Sequence, residues 1–259
     1  MTTFSDLHRA GEVPFLLPNA WDVSSALAFV DAGFPAVGTT SFGVAAGAGL
    51  PDGAGASREA TAVLVRALAG LPVFVSADVE DGYNGDPDQV AAYVAALGAD
   101  GINIEDSTDS HLIDPASHVA KITAIKRRSP EVFVNARIDT YWLGQDADLP
   151  ATLARAEQYV RAGADGIFVP GASDPRDLAE LAAVIPVPLN VLIVPDLPLT
   201  ELGRLGVRRV STGSLPYRAA VDAAVQVATS VRDGRPVPAA TPYPAMQKRL
   251  TDYSAAQRT

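Results

Sequence analysis

What most constrains the fold of this chain is a repeated piece of punctuation. Four segments, DAGFPAVGTTS (31–41), LGADGINIEDS (97–107), AGADGIFVPGA (162–172) and LGVRRVSTGS (205–214), each pass through a glycine into a short β-branched run. Glycine accepts the left-handed conformation that closes a helix, so each segment reads as a helix end feeding a strand. Helix starts are marked by Asp22 and by three pairs, Asp86-Pro87, Asp114-Pro115 and Asp174-Pro175, in which a capping carboxylate precedes a first-turn proline. Strands are expected at 14–20, 36–41, 73–79, 101–105, 132–138, 166–170, 188–194 and 208–213, with helices in most gaps. Eight β–α units without a linker predict an α/β fold, a (β/α)8 TIM barrel over residues 1–234. A doubly wound sheet would have to split that even series. Residues 235–259 read as a proline-rich extension with a short helix, packing on the barrel or on a neighbouring subunit.

In a barrel, function collects where strands end and βα loops begin. The stretch SADVEDGY (76–83) puts Asp78, Glu80 and Asp81 at such an end. Two carboxylates about 4 Å apart repel by roughly 1–4 kcal/mol in surface-like dielectrics, so the cluster calls for compensation. Side chains alternate along a strand. Val73, Val75, Ala77 and Val79 form an apolar set for the helices, which sends Phe74, Ser76, Asp78 and Glu80 inward. Asp81 falls on the other side and reads as a turn residue beside Gly82. The same parity turns Asn103, Glu105, Asn135, Arg137 and Asn190 inward. Three acids and an arginine at one end of one barrel suit a hard divalent cation beside a bound carboxylate, and Mg2+ takes such oxygen ligands while keeping several waters. Arg137 is either the partner of that carboxylate or the acids' structural counter-ion. His111 lies in a polar loop, and Trp21 and Trp142 read as packing groups near the rim.

The inventory removes other chemistries. A formal charge of −10 with no basic run argues against nucleic-acid or anionic-membrane partners. The absence of cysteine removes disulfides and thiolate chemistry. No basic region followed by an apolar stretch opens the chain, and no segment approaches the ~20 apolar residues of a membrane span, so a soluble, cytoplasmic protein is expected. Lys121, Lys126 and Lys248 end no strand, against a Schiff-base aldolase, and His8, His111 and His118 lack zinc spacing. Ser211, Thr212, Gly213 and Ser214 leave a phosphate site near the last two strands open.

Taken in order, PNAWDVSSALAFVDAGFPAVGTTSFGVAAGAGLPDG (18–53), SADVEDGY, GINIED, FVNARIDTY, PLNVL and RRVSTG resemble the isocitrate lyase/phosphoenolpyruvate mutase superfamily. The resemblance implies a barrel whose last helices are exchanged between subunits of a homo-oligomer, a dimer or tetramer. It implies Mg2+, or Mn2+ in its place, held with a 2-oxo acid or its enolate while a C–C or P–C bond is made or broken. By motif, Asp78 resembles the acid that touches the metal, and Glu80 stands where the family has an aspartate acting through water. Glu105 and Asp52 resemble the metal's outer acids. Thr40, Ser41 and Phe42 match the segment that cradles a pyruvyl group, Arg137 the arginine that meets the substrate carboxylate, and Asn190 a residue lining the site.

The loop EDSTDSHLIDPAS (105–117) departs from that pattern. It lacks the cysteine of isocitrate and methylisocitrate lyases and the lysine- and asparagine-bearing gate of the mutases. The expected function is an Mg2+-dependent lyase acting on a small 2-oxo or 2-hydroxy carboxylate through a pyruvate-like enolate, by C–C cleavage or oxaloacetate-type decarboxylation. Arg137 and the amides around Ser41 would carry it, with a proton from water, His111, Ser107 or Ser110. The alternatives are P–C chemistry and a non-catalytic 2-oxo acid-binding protein.

Overall fold

The eight expected strands form, and the first is cut in two by a proline. The computed structural model describes residues 2–53 and 55–257. After a short helix α1 (Phe4–Leu7), β1 (Phe15–Leu17) and β2 (Asn19–Ala20) flank Pro18, which has no N–H to give a ladder. The chain continues through α2 (Val23–Asp31), β3 (Ala36–Thr39), α3 (Ser41–Gly47), α4 (Arg58–Leu68), β4 (Phe74–Asp78), α5 (Pro87–Leu97) and β5 (Gly101–Glu105). A hairpin of β6 (Ser107–Thr108) and β7 (His111–Leu112) then precedes α6 (Pro115–Arg128), β8 (Phe133–Arg137), α7 (Thr140–Leu143), α8 (Leu149–Arg161) and β9 (Gly166–Phe168). The last units are α9 (Pro175–Val184), β10 (Leu189–Leu192), α10 (Leu199–Arg204), β11 (Arg209–Ser211), α11 (Leu215–Arg232) and α12 (Tyr243–Ala256).

The main sheet runs β1-β11-β10-β9-β8-β5-β4-β3-β2, and every pairing in it is parallel. Its two ends are the two halves of one segment, so the sheet curls into a nearly closed barrel. Asn19 stitches the seam: its side chain donates to the Thr39 carbonyl at 2.7 Å and accepts from the Gly213 amide at 3.0 Å.

The punctuation holds. Gly33, Gly98, Gly163 and Gly206 all have positive φ, and Asp22, Asp86, Asp114 and Asp174 each cap a helix by accepting a backbone N–H. One expected strand end differs. Thr40 and Ser41 leave β3 and begin α3, because the Thr40 side chain caps that helix instead of continuing the ladder.

The apolar parity set behaves as the alternation requires. Val75, Ala77, Val79, Ile102, Ile104, Val134 and Ala136 belong to the main core between strands and helices. The opposite end of the barrel from the acids is plugged by α1. Phe4 packs with Leu17, Ala36 and Phe133, and a Cβ on Gly101 would stand 2.5 Å from the Phe4 ring. The His8 ring stacks on Phe133 with centroids 4.1 Å apart.

At the C-terminus, α12 lies back on its own barrel through Arg249–Asp31 and a 2.7 Å bond from the Tyr253 hydroxyl to the Ala67 carbonyl. Along α11, by contrast, Ser230 is the one buried residue. Among the described residues no helix is long and apolar enough to cross a membrane.

Candidate active site

At the C-terminal mouth of the barrel lies a cavity of about 940 Å³. Its walls include Asp52, Asp78, Glu80, Glu105, Arg137, Thr40, Ser41 and Phe42, so these eight expected site residues come together. The strands explain why. Asp78, Glu105 and Arg137 are the last residues of β4, β5 and β8, and Glu105 pairs with Arg137 in register.

The charges are held by directional bonds. Asp78 Oδ2 accepts the Ser41 amide at 3.0 Å. Glu80 sits at φ +48°, a left-handed conformation costly for a side-chain-bearing residue. Its carboxylate is fixed there by the Gly55 amide at 3.0 Å and the Ser57 hydroxyl at 2.5 Å. Arg137 pairs through Nη1 with Glu105 at 2.7 Å and through Nε with Asp139 at 2.6 Å. Its Nη2 has no protein partner among the described residues. Burial raises the carboxyl groups of Asp78, Glu80 and Glu105 above their ordinary range, and neighbouring carboxylates push each the same way. Arg137 opposes this at Asp78 and Glu105, and the acids in turn hold its own proton more tightly.

Several expectations need correcting. His111 is exposed, bonds the Asp109 carbonyl at 2.7 Å, and is absent from the cavity wall. Asn190 points inward as its parity requires, but its amide is spent on Ser211 at 3.1 Å below the floor, and Ser211 lines the cavity instead. The Ser41 amide, assigned by resemblance to the substrate, is taken by Asp78. Asp81 is no mere turn residue. It lines the cavity, accepts from the Thr108 hydroxyl at 2.8 Å and pairs with the buried Lys121, tying the β6–β7 hairpin to the acidic loop.

Other residues were missed. Asp139 is fully buried and takes both Arg137 and the Ser107 hydroxyl, the latter at 2.5 Å. It stands two residues beyond Arg137, just past the strand where parity stops being informative. Asn103 lines the floor, with its Oδ1 accepting from Asn135 and from the buried Arg209. Trp142 is no packing group: it lines the cavity, with its ring 5.7 Å from the Arg137 guanidinium. Arg218 reaches the wall from α11, where no strand rule pointed.

Comparison with known proteins gives these residues a lineage. A family model described as phosphoenolpyruvate phosphomutase matches residues 4–232. An uncharacterized protein of Mycobacterium tuberculosis is 58% identical over 97% of each chain. An oxaloacetate decarboxylase of Ectopseudomonas mendocina is 34% identical over 65% of this chain and 61% of its own. A structure of phosphonopyruvate hydrolase in complex with oxalate and Mg2+ superposes with a TM-score of 0.82 at 26% identity, covering 99% of this chain and 96% of that one. The chain therefore belongs to the phosphoenolpyruvate phosphomutase family.

Proposed function

We propose that the protein is an Mg2+-dependent lyase that breaks the C–C bond one carbon removed from the 2-oxo group of a small carboxylic acid, with oxaloacetate-type decarboxylation as its simplest reaction. The observation that carries this reading is Arg137, locked between Glu105 and Asp139 with Nη2 unclaimed, in the same wall as the half-buried Asp78. A guanidinium held by two carboxylates presents its remaining donor in one direction, which suits the C1 carboxylate of a substrate.

The donor set fits a hard divalent cation. The buried Glu80 and the half-buried Asp78 and Glu105 repel one another and resist ionisation, and a dication beside them would relieve both. Among the described residues no three acids or histidines converge tightly enough to hold an ion alone. Mg2+ asks for only one or two carboxylates and fills the rest of its shell with water. Asp78 would touch it, with Glu80, Glu105 and Asp52 reached through water. When bound, Mg2+ supplies Lewis-acid polarisation of the 2-oxo oxygen.

The chain's own residues do the remainder. Arg137 fixes the carboxylate, and Thr40 and Asn103 contribute polar groups to the cavity wall. The C3–C4 bonding pair passes into C2–C3 and the 2-oxo oxygen takes the negative charge; CO2 leaves, and C3 then takes a proton from water. The related oxaloacetate decarboxylase supports this chemistry, and it asks for no loop cysteine. The apolar residues exposed along α11, among them Val221, Val225 and Val231, suit burial against a second copy of the chain. Light scattering should then report a mass above that of one chain; a monomer would refute that part.

The test follows oxaloacetate and phosphonopyruvate by proton and phosphorus NMR, with Mg2+ and with a chelator. Metal-dependent formation of pyruvate and CO2 from oxaloacetate is expected, with a fall of about 10²–10³-fold in Asp78→Ala, the scale of losing a preorganised charge contact. Full turnover in Asp78→Ala would refute the assignment. Release of phosphate from phosphonopyruvate alone would move the reading to P–C chemistry.

A further inference from the structure

The cavity is larger and less polar than a four-carbon diacid requires. At about 940 Å³ it lies near the top of the roughly 300–1,000 Å³ range of sites that enclose drug-sized ligands. Its carboxylates lie on one arc, on the loops after β3, β4 and β5, with Arg137 at the end of β8 and Arg218 on α11 as the cations of the wall. The arc after β8, β9 and β10 is lined by Trp142, Leu143, Phe168, Leu192, Ile193 and Pro195. Between Trp142 and Pro195 no ionisable side chain contributes to the wall. This apolar arc begins at the arginine itself: the Arg137 guanidinium stands 5.7 Å from the Trp142 ring and 5.9 Å from the Phe168 ring.

We propose that this arc is a specificity pocket for a hydrophobic substituent, so that the substrate is a 2-oxo or 2-hydroxy acid bearing an alkyl or aryl branch near the reacting carbon. The proposal rests on the reading of the charged arc given above and adds the substrate class. An acid anchored at Arg137 has its next carbons within reach of Trp142 and Phe168. A second charge placed there would lose water, and no ionisable side chain of the wall between Trp142 and Pro195 would pair with it. A methylene placed there leaves water for apolar contacts, a gain of about fourfold in affinity per CH2 group buried. Trp142 and Ile193 are 55% and 40% exposed. Surface of this kind, continuous with a charged anchor inside one cavity, is matched by a ligand with one charged end and one apolar end.

N-alkyl oxamates test the idea, because they keep the two-carbon acid head, resist decarboxylation and extend by one methylene at a time. Calorimetry in Mg2+ would compare oxalate with N-methyl-, N-propyl-, N-butyl- and N-benzyloxamate. Affinity should rise about fourfold per methylene until the wall is covered. In Ile193→Asn and Leu192→Asn the ratio of N-butyloxamate to oxalate affinity should fall by tenfold or more. Oxalate binding with a flat or falling alkyl series would overturn the apolar pocket and leave the lyase reading standing. No binding of oxalate itself would overturn the anchor, and the pocket with it.

Discussion

The two arcs of the mouth are built from the same β–α unit, yet they hold their side chains in opposite ways. On the acidic arc three carboxylates are pinned by named donors: Asp78 by the Ser41 amide, Glu80 by Gly55 and Ser57, Glu105 by Arg137. On the apolar arc Trp142, Leu192 and Ile193 line the wall by shape alone. Taking charge out of water costs several kcal/mol per ion, so the acidic arc exists only as a complete network. The apolar arc has no polar pairing to complete and can lose one member without exposing a charge. Substitutions should therefore act all-or-none on one side and by degrees on the other.

The sharpest way to break that contrast is Arg137→Met. It leaves Glu105 and the fully buried Asp139 without their counter-ion, at an expected cost of about 3–5 kcal/mol in stability. Oxalate binding should vanish with it. Ile193→Ala, on the exposed part of the other arc, should stay within about 0.5 kcal/mol of the parent. Urea denaturation of the two variants reads both numbers. If they matched, the distinction between a network and a surface would be wrong.

The same contrast explains what the sequence disclosed and what it hid. Glycine caps and Asp-Pro starts report local backbone needs, so the barrel was legible without any long-range information. Strand parity found Asp78, Glu80, Glu105 and Arg137, because an ionisable side chain on an otherwise apolar face is conspicuous. Parity gives direction but no depth. Asn190 and Arg209 stand opposite each other in register, yet both lie beneath the floor, bonded to Ser211 rather than reaching the cavity. Parity also stops where strands stop. Glu80 already has a turn conformation, so Asp81 beside it was misplaced, and Asp139 follows β8 by two residues. The apolar arc was hidden for a different reason: Leu192 and Phe168 have the composition of core, and only their position at strand ends makes them wall.

Acid offers a second way to separate the arcs, provided a background unrelated to either is removed first. His8 and His118 are almost wholly buried, and burial lowers each ring to about 3. Their unfolded value is near 6.5, so between pH 6.5 and 3 the unfolded chain takes up a proton that the folded chain refuses. Stability should therefore fall as pH drops through that window, by about 1.4 kcal/mol per pH unit for each ring, and be unaffected by them above it. His8→Phe should remove one proton from that slope. A phenyl ring retains the packing with Phe4, Phe15 and Phe133 and gives up only the 3.0 Å contact of Nδ1 with the Phe4 carbonyl. Urea curves at pH 7, 6, 5 and 4 measure the change. An unaltered slope in the variant would mean that His8 takes up its proton within the fold and contributes nothing to the acid sensitivity; the carboxyl groups at the mouth, raised by burial, act with the opposite sign and favour the fold as pH falls.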